Sequence, residues 1–203
     1  MKDCETKYKI METAIELIWQ SSYDSVGVSD ICKKAKVNKG SFYHFFPSKE
    51  VLAVEAVKYS LSQFQPMLDQ VFSAQKDPIQ RLMDFCDFTV TMQTAKKEKI
   101  GYVCGCPFTN IGLEQSSQSK LIAEIVRKCF NQTKKYFASA LKEASDSGDI
   151  SIKNVDEKAD ELFTYNIGAL TQARINNDLK PLVDLKRVYK EMLGIKREAA
   201  VGK

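Results

Sequence analysis

Apolar residues recur at helical spacing along most of the chain. Near the N-terminus, Ile10, Ala14, Leu17 and Ile18 fall at i, i+4, i+7 and i+8, which places them on one face of a helix. The best strand candidate, residues 149–152, is too short and too isolated to build a sheet. The pattern therefore predicts an all-α chain.

Capping residues mark two short helices close to the N-terminus. They are predicted over residues 28–35 and 39–45, with Gly27 and Asn38 as their N-caps. Pro47 ends the second, because the residue before a proline is pushed out of the helical region. Together with the preceding amphipathic segment, they predict a three-helix domain over the first 47 residues.

The later helices are longer. Ser48 is a good N-cap for a helix over residues 48–72, where Pro66 should cause a bend or an early end near Gln65. Further helices are predicted over residues 78–94, 107–115, 119–147, 156–177 and 181–193. The total is about nine helices, with a larger helical domain over residues 48–203.

Composition fits an ordinary globular protein. The 203 residues are 44% hydrophobic and 28% charged, and the net charge is only +4, so any nucleic-acid site depends on local clustering of charge. The N-terminus lacks an apolar signal segment, and no apolar run approaches the roughly 20 residues that span a bilayer. We expect a cytoplasmic protein without membrane contact, whose six cysteines are mostly reduced thiols.

Two short helices joined by a tight turn have the geometry of a helix-turn-helix. Residues 31–49 carry no acidic residue and five lysines: Lys33, Lys34, Lys36, Lys39 and Lys49. Such a run binds phosphates, or is simply a solvated face. Helical spacing turns one set of side chains inward: Ile31, Ala35, Val37, Phe42 and Phe45. The same spacing places another set of side chains on the outer face, where they can reach DNA: Lys39, Ser41, Tyr43 and His44.

The stretch GVSDICKKAKVNKGSFYHFFPSKEVL resembles the DNA-binding signature of the tetracycline-repressor (TetR) family of bacterial regulators. Cys32 stands where alanine is usual, Lys36 where glycine is usual, and Gly27 where a Thr or Ser cap is usual. The resemblance implies an N-terminal helix-turn-helix domain followed by an effector-binding and dimerisation domain. It also implies double-stranded DNA, in the form of a palindromic operator, as the partner of a homodimer.

The resemblance also assigns residues to the DNA interface. Lys39, Ser41 and Phe42 would face the major groove, and Tyr43 and His44 would contact phosphates and a base. Two residues outside the recognition helix are implied as contacts to the DNA backbone: Ser29 and Lys49.

The second domain should hold the dimer surface and an effector pocket. The late helices are candidates for the dimer surface, since Gly168, Ala169 and Ala173 would allow close approach, although these small residues also suit internal packing. The resemblance implies a pocket for a small hydrophobic or electrophilic effector. Its candidate residues are Phe64, Met67, Phe85, Phe88, Met92, Cys106, Phe108, Ile111, Phe130 and Phe163, each of which also suits a simple core position.

Cys106 is expected at the N-cap of a short helix, where unpaired amides and the helix dipole should lower the pKa of its thiol. The pattern Gly105, Cys106, Asn110, Glu114 also resembles a TetR subgroup with members that respond to electrophiles. The alternative is an inert, buried cysteine. We expect no metal site or other cofactor, because His44 is the single histidine and no CxxC pair exists.

The leading hypothesis is a transcriptional repressor that leaves its operator when an inducer binds or a thiol is modified. A helical adaptor that binds protein through the basic helices is one alternative. An enzyme with Cys106 as nucleophile is another, but a catalytic cysteine needs a nearby base, and the lone histidine lies on the DNA-facing helix.

Overall fold

The computed structural model describes residues 2–195, and this part of the chain contains helices and no strand. Its ten helices are α1 (Lys2–Gln20), α2 (Val28–Ala35), α3 (Lys39–Phe45), α4 (Lys49–Val71), α5 (Pro78–Ile100), α6 (Pro107–Gln115), α7 (Lys120–Asp146), α8 (Val155–Asn176), α9 (Lys180–Val183) and α10 (Leu185–Met192). The all-α prediction is confirmed. Over the same residues, no helix is both long enough and apolar enough to cross a membrane.

The first compact unit contains residues up to Met67 together with Cys104–Asn131. It therefore combines α1–α3 and most of α4 with α6 and the first part of α7. Fully buried side chains from all these helices form its core, including Ile10, Ile31, Phe42, Phe46, Leu52, Ile111 and Ile122. Each such side chain stabilises the fold by about 1.5–3 kcal/mol relative to an exposed one.

The second compact unit contains Leu68–Val103 and residues 132–195. Its core is aromatic: the Phe137 ring packs edge-on against Phe85 at 4.9 Å between centroids and contacts Phe72 at 5.6 Å. The buried Arg81 donates to the backbone carbonyls of Ala74 and Lys76 and pairs with Glu143 at 2.8 Å. These bonds tie the loop before α5 to α7.

Two predicted helices differ from the structure. Helix α5 continues to Ile100 rather than residue 94, because its charged last turns are compatible with a solvated helix and Gly101, at φ 86°, ends it. Helix α4 matches its predicted range of 48–72, because it continues through Pro66 to Val71 and does not take the alternative early end near Gln65. The last predicted helix is divided at Asp184 into α9 and α10, which raises the count to ten. The domain boundary after residue 47 stays a prediction.

Candidate nucleic-acid interface

Local hydrogen bonds fix the ends of α2 and α3. The Gly27 amide donates to the Asp30 carboxylate at 2.9 Å, which caps the start of α2. Helix α2 ends because Lys36 takes the left-handed conformation, with φ 54° and ψ 45°. The Asn38 side chain then accepts from the Ser41 amide at 2.7 Å and starts α3. The predicted caps of both helices are confirmed.

Helix α3 has one buried face and one open face. Phe42 and the following Phe46 are fully buried, whereas Lys39 and His44 are exposed and Tyr43 is 54% exposed. Phe42 supports the open face, because its ring lies edge-on against the Tyr43 ring at 5.1 Å between centroids. Such an aromatic contact holds the exposed ring in a restricted orientation.

Further polar side chains of the α2–α3 segment are also accessible to solvent. Ser41 is partly exposed in the first turn of α3, and Ser29 is exposed in the first turn of α2. Lys33, Lys34 and Lys36 are also exposed, and Lys34 lies 3.8 Å from the Glu16 carboxylate. The motif therefore presents cations, hydroxyls and rings on one short segment, a combination that can hydrogen-bond phosphates and base edges.

The expectation that Phe42 faces the major groove is wrong for its side chain. The ring is 0% exposed and contacts the Phe46 ring at 6.0 Å between centroids. Burying an aromatic ring in this small core stabilises the fold more than exposing it to a polar groove. Phe42 acts as the support of the recognition helix rather than as a reader of bases.

Lys49, which is expected to bind a phosphate, is bonded within the protein, and its phosphate contact stays a prediction. Its ammonium donates to the Tyr23 backbone carbonyl at 2.6 Å and lies 4.0 Å from the centre of the Tyr23 ring. The side chain is partly buried, and this burial lowers the pKa of Lys49, although Asp24 and Glu114 act in the opposite direction. These contacts hold the loop that precedes α2.

Cys106 occupies the predicted N-cap of α6, but no capping hydrogen bond is formed by its side chain. Burial raises the pKa of its thiol, and this effect outweighs the Thr109 hydroxyl and the amides of Phe108 and Thr109, which lower the pKa. The expected lowering of the thiol pKa is therefore not found, while the Cys106 side chain is partly exposed, and a response to thiol modification stays a prediction. Burial likewise raises the pKa of Cys129 to about 12, with a contribution from Cys106. Both thiols are thus less acidic than an ordinary cysteine.

The effector-pocket candidates belong to both compact units. Six lie in the first unit: Phe64, Met67, Cys106, Phe108, Ile111 and Phe130. Four lie in the second: Phe85, Phe88, Met92 and Phe163. Ile111 and Phe85 are buried core residues, while Met67 is 37% exposed. Their common pocket stays a prediction.

Helix α8 carries an open face in the second unit. Gly168 is exposed, with nothing within 4 Å of the position of an added Cβ, and Ile175 is 76% exposed. Beside Gly168 lies a groove of about 520 Å³ between α8 and α9. Ala169 and Ala173 are buried in the chain, and Ala169 also lines this groove, so the part of these alanines in a dimer surface stays a prediction.

Sequence reasoning missed the hydrogen bonds that support the motif from α6. Glu114 and Gln115 both bond to Asp24, about 90 positions earlier in the chain. No local signal identifies such a pair, because the contact exists only after α6 packs on the first unit. The pattern of Gly105, Cys106, Asn110 and Glu114 does mark the segment, although chemistry rather than packing was the role expected for it.

Comparisons with known proteins agree with this geometry. Residues 10–56 match the family model described as bacterial regulatory proteins, tetR family, and residues 78–189 match the tetracyclin repressor-like C-terminal domain. The uncharacterized HTH-type transcriptional regulator YxaF of Bacillus subtilis (strain 168) is 31% identical over 140 residues, which are 68% of this chain and 71% of YxaF.

Two further comparisons cover nearly the whole chain. The HTH-type transcriptional repressor DhaR of Mycobacterium sp. (strain GP1) is 26% identical over 91% of this chain and 90% of its own length. The crystal structure of the reduced form of E. coli NemR superposes with a TM-score of 0.79 at 21% identity, covering 93% of this chain and 97% of that one.

Proposed function

Because this chain belongs to the TetR family of DNA-binding transcriptional regulators, we propose that it is a repressor that binds a palindromic operator as a homodimer and leaves it when a small effector binds. The observation that carries the proposal is the open face of α3. There Lys39, Tyr43 and His44 project from a helix that the buried Phe42 anchors to the core.

Each open side chain suits a different part of a DNA duplex. The Lys39 ammonium, at the first turn of α3, pairs with a phosphate and releases counterions. The Tyr43 hydroxyl and the His44 imidazole hydrogen-bond phosphate oxygens or base edges in the major groove. Ser29, at the start of α2, bonds to the backbone at the edge of the same half-site. Phosphate contacts fix the register, and the few base contacts supply the sequence preference.

Dimerisation gives the protein two such faces. In a symmetric dimer the same surface of each subunit meets at the interface, and the two half-sites lie about one helical turn (~34–36 Å) or a multiple apart. The open α8 face, with the exposed Gly168 and Ile175, is the surface proposed for this contact. Gly168 allows the two helices to approach closely because it has no side chain.

A small molecule is the signal that this structure favours over thiol modification. Alkylation and oxidation proceed through the thiolate, and burial raises the pKa of Cys106, which disfavours its thiolate form. An effector that binds one conformation better than the other shifts the protein away from DNA by that difference in affinity. Aromatic and methionine side chains, such as the candidates named above, suit a mostly apolar ligand.

Selection from a random DNA library tests the proposal. The native protein should enrich a palindromic sequence and bind it with a Kd that weakens steeply with salt. Lys153→Ala is a suitable control, because Lys153 is an exposed lysine remote in sequence from the motif and should leave binding unchanged. Failure to enrich any sequence would contradict operator binding and would favour the adaptor or the enzyme.

A further inference from the structure

The C-terminal end of α6 holds the loop that leads into α2. The Asp24 amide donates to a Glu114 carboxylate oxygen at 3.0 Å, and the Gln115 side-chain amide donates to an Asp24 carboxylate oxygen at 2.9 Å. Adjacent residues of α6 therefore bind both the backbone and the side chain of one loop residue. All these residues belong to the first compact unit.

The same loop is held from α4. The Lys49 ammonium bonds to the carbonyl of Tyr23, the residue before Asp24, and the Tyr23 ring is only 8% exposed. One residue further along α4, Glu50 accepts from the hydroxyl of Ser119, which follows α6. The loop thus lies between two helices, and each of them binds it through a polar side chain.

Helix α6 is a firm support for these bonds. Ile111 is fully buried, and a Cβ added to Gly112 would lie 3.1 Å from a Val126 methyl group, so α6 packs closely on α7. Gln115 itself is only 6% exposed, which restricts its side chain to few conformations. At the other end of α6, the Trp19 indole N–H donates to the Gly105 carbonyl at 2.8 Å and ties that end to α1.

The position of Asp24 sets where α2 begins. Only two residues separate Asp24 from Gly27, whose amide bond to Asp30 starts α2. The Val26 amide also donates back to the Tyr23 carbonyl, at 3.4 Å, so the loop is short and internally bonded. A displaced Asp24 therefore displaces the first turn of α2, including Ser29, and with it the α2–α3 motif.

We propose that Glu114 and Gln115 are positioning residues for DNA binding, which hold the α1–α2 loop so that α2 and α3 fit the duplex together. This proposal rests on the operator-binding function above. Neither residue contacts DNA in this scheme.

Substitutions that change charge but keep side-chain size test the hydrogen bond between Gln115 and Asp24. Gln115→Glu places a second carboxylate against Asp24 and should weaken operator binding about tenfold or more, with the salt dependence unchanged because no phosphate contact is lost. Adding Asp24→Asn gives an amide that donates to the new carboxylate and should restore binding to within about threefold of native. Asp24→Asn alone keeps an acceptor for Gln115 and is the matched control.

Kd values are measured at several salt concentrations well below the melting temperature, with circular dichroism and size-exclusion chromatography on every variant. A stability role alone would lower the melting temperature and leave these Kd values unchanged. If Gln115→Glu fails to fold, Glu114→Ala removes the acceptor of the Asp24 amide and should also weaken binding with an unchanged salt slope.

The proposal is overturned if Gln115→Glu binds like the native protein, if the double variant binds no better than the single one, or if the salt slope falls by about one for each protomer. Its failure is distinct from failure of the proposed function, because in the latter case the native protein itself binds no preferred sequence.

Discussion

Helices α3 and α6 are both short and both follow a local capping residue, yet their first turns differ in exposure, since that of α3 is mostly exposed and that of α6 is partly buried. At α3 the Asn38 side chain caps the Ser41 amide, and the turn is open to solvent. At α6 Cys106 forms no capping bond, and burial raises the pKa of its thiol. A helix N-terminus favours an anion only where the anion remains solvated or is well bonded, because burial penalises the charged form.

This difference assigns the two helices different tasks. The open turn of α3 suits an external anion such as DNA phosphate, whereas the partly buried turn of α6 suits packing. Helix α6 acts through its other end, where Glu114 and Gln115 bond to Asp24. Variants at the two helices should therefore change DNA binding in different ways.

The largest effect is expected for Tyr43→Ala. The variant loses the exposed hydroxyl in both half-sites, and each such contact contributes about 1–3 kcal/mol, so operator affinity should fall about 100-fold or more. The ring contact with Phe42 is also lost, but the buried face of α3 remains. Fluorescence anisotropy gives the Kd, and size-exclusion chromatography should show an intact dimer. An unchanged Kd would show that the open face of α3 does not contact the DNA.

A carboxylate at the first turn of α3 should weaken binding by about tenfold. Asn38→Asp keeps a side-chain acceptor for the Ser41 amide and suits the helix dipole, so stability in urea should be equal or slightly higher. The added negative charge nevertheless repels the phosphates. Asn154→Asp is the matched control, because Asn154 caps α8 with the same bond to the Glu157 amide. Equal affinities for the two variants would show that α3 does not face DNA.

The two lysines should differ in salt dependence. Lys39 is exposed, so Lys39→Ala should lower the magnitude of the salt slope by about one for each protomer. The Lys49 ammonium is bonded to Tyr23, so Lys49→Ala should weaken binding several-fold with little change of slope, because the loop loosens. Binding is titrated over a range of salt concentrations. A salt slope of reduced magnitude for Lys49→Ala would instead support the expected contact between Lys49 and a phosphate.

The smallest effect is expected from thiol reagents at Cys106. In a Cys4→Ser background, which removes the exposed thiol, iodoacetamide at pH 7 should label the protein slowly and leave operator affinity unchanged. The labelling rate should rise as the pH passes the ordinary range of a thiol, because the pKa of Cys106 is raised. Comparison with mass spectra of the Cys106→Ser variant shows how much of the label is attached to Cys106. Rapid labelling of Cys106 at pH 7 would support the thiol switch.

The same raised pKa predicts how alkali affects the fold. Above the ordinary thiol pKa, the unfolded chain loses protons that Cys106 and Cys129 retain in the folded protein, so the free energy of unfolding falls as pH rises. Below that range the stabilisation is fully present. Urea unfolding from pH 7 to pH 10 should show this decline, and it should be smaller in Cys106→Ser.

Features set by neighbouring residues could be predicted from the sequence. The caps Gly27 and Asn38 and the first-turn residue Pro107 depend on a few adjacent positions, and α2, α3 and α6 begin where these residues place them. The inward and outward positions of α3 follow from helical spacing. For Phe42 the spacing predicts a buried side chain, which is correct, whereas the family resemblance places it against the major groove, which is wrong.

Features that depend on distant residues could not be predicted. The environment of Cys106 is formed by its burial in the first unit and by Cys129 on α7, and the Lys49 ammonium is engaged by a carbonyl 26 positions away. Burial and long-range hydrogen bonds arise only when the helices pack. Charge and spacing indicate which side chains are available, whereas packing decides which of them remain free to bind.

A crystal structure of the protein bound to its selected operator tests the central claim most directly. We predict α3 in the major groove, with Tyr43 and Lys39 within hydrogen-bond distance of the duplex and Lys49 still bonded to Tyr23. A complex in which α3 faces solvent while another surface contacts the DNA would contradict the account.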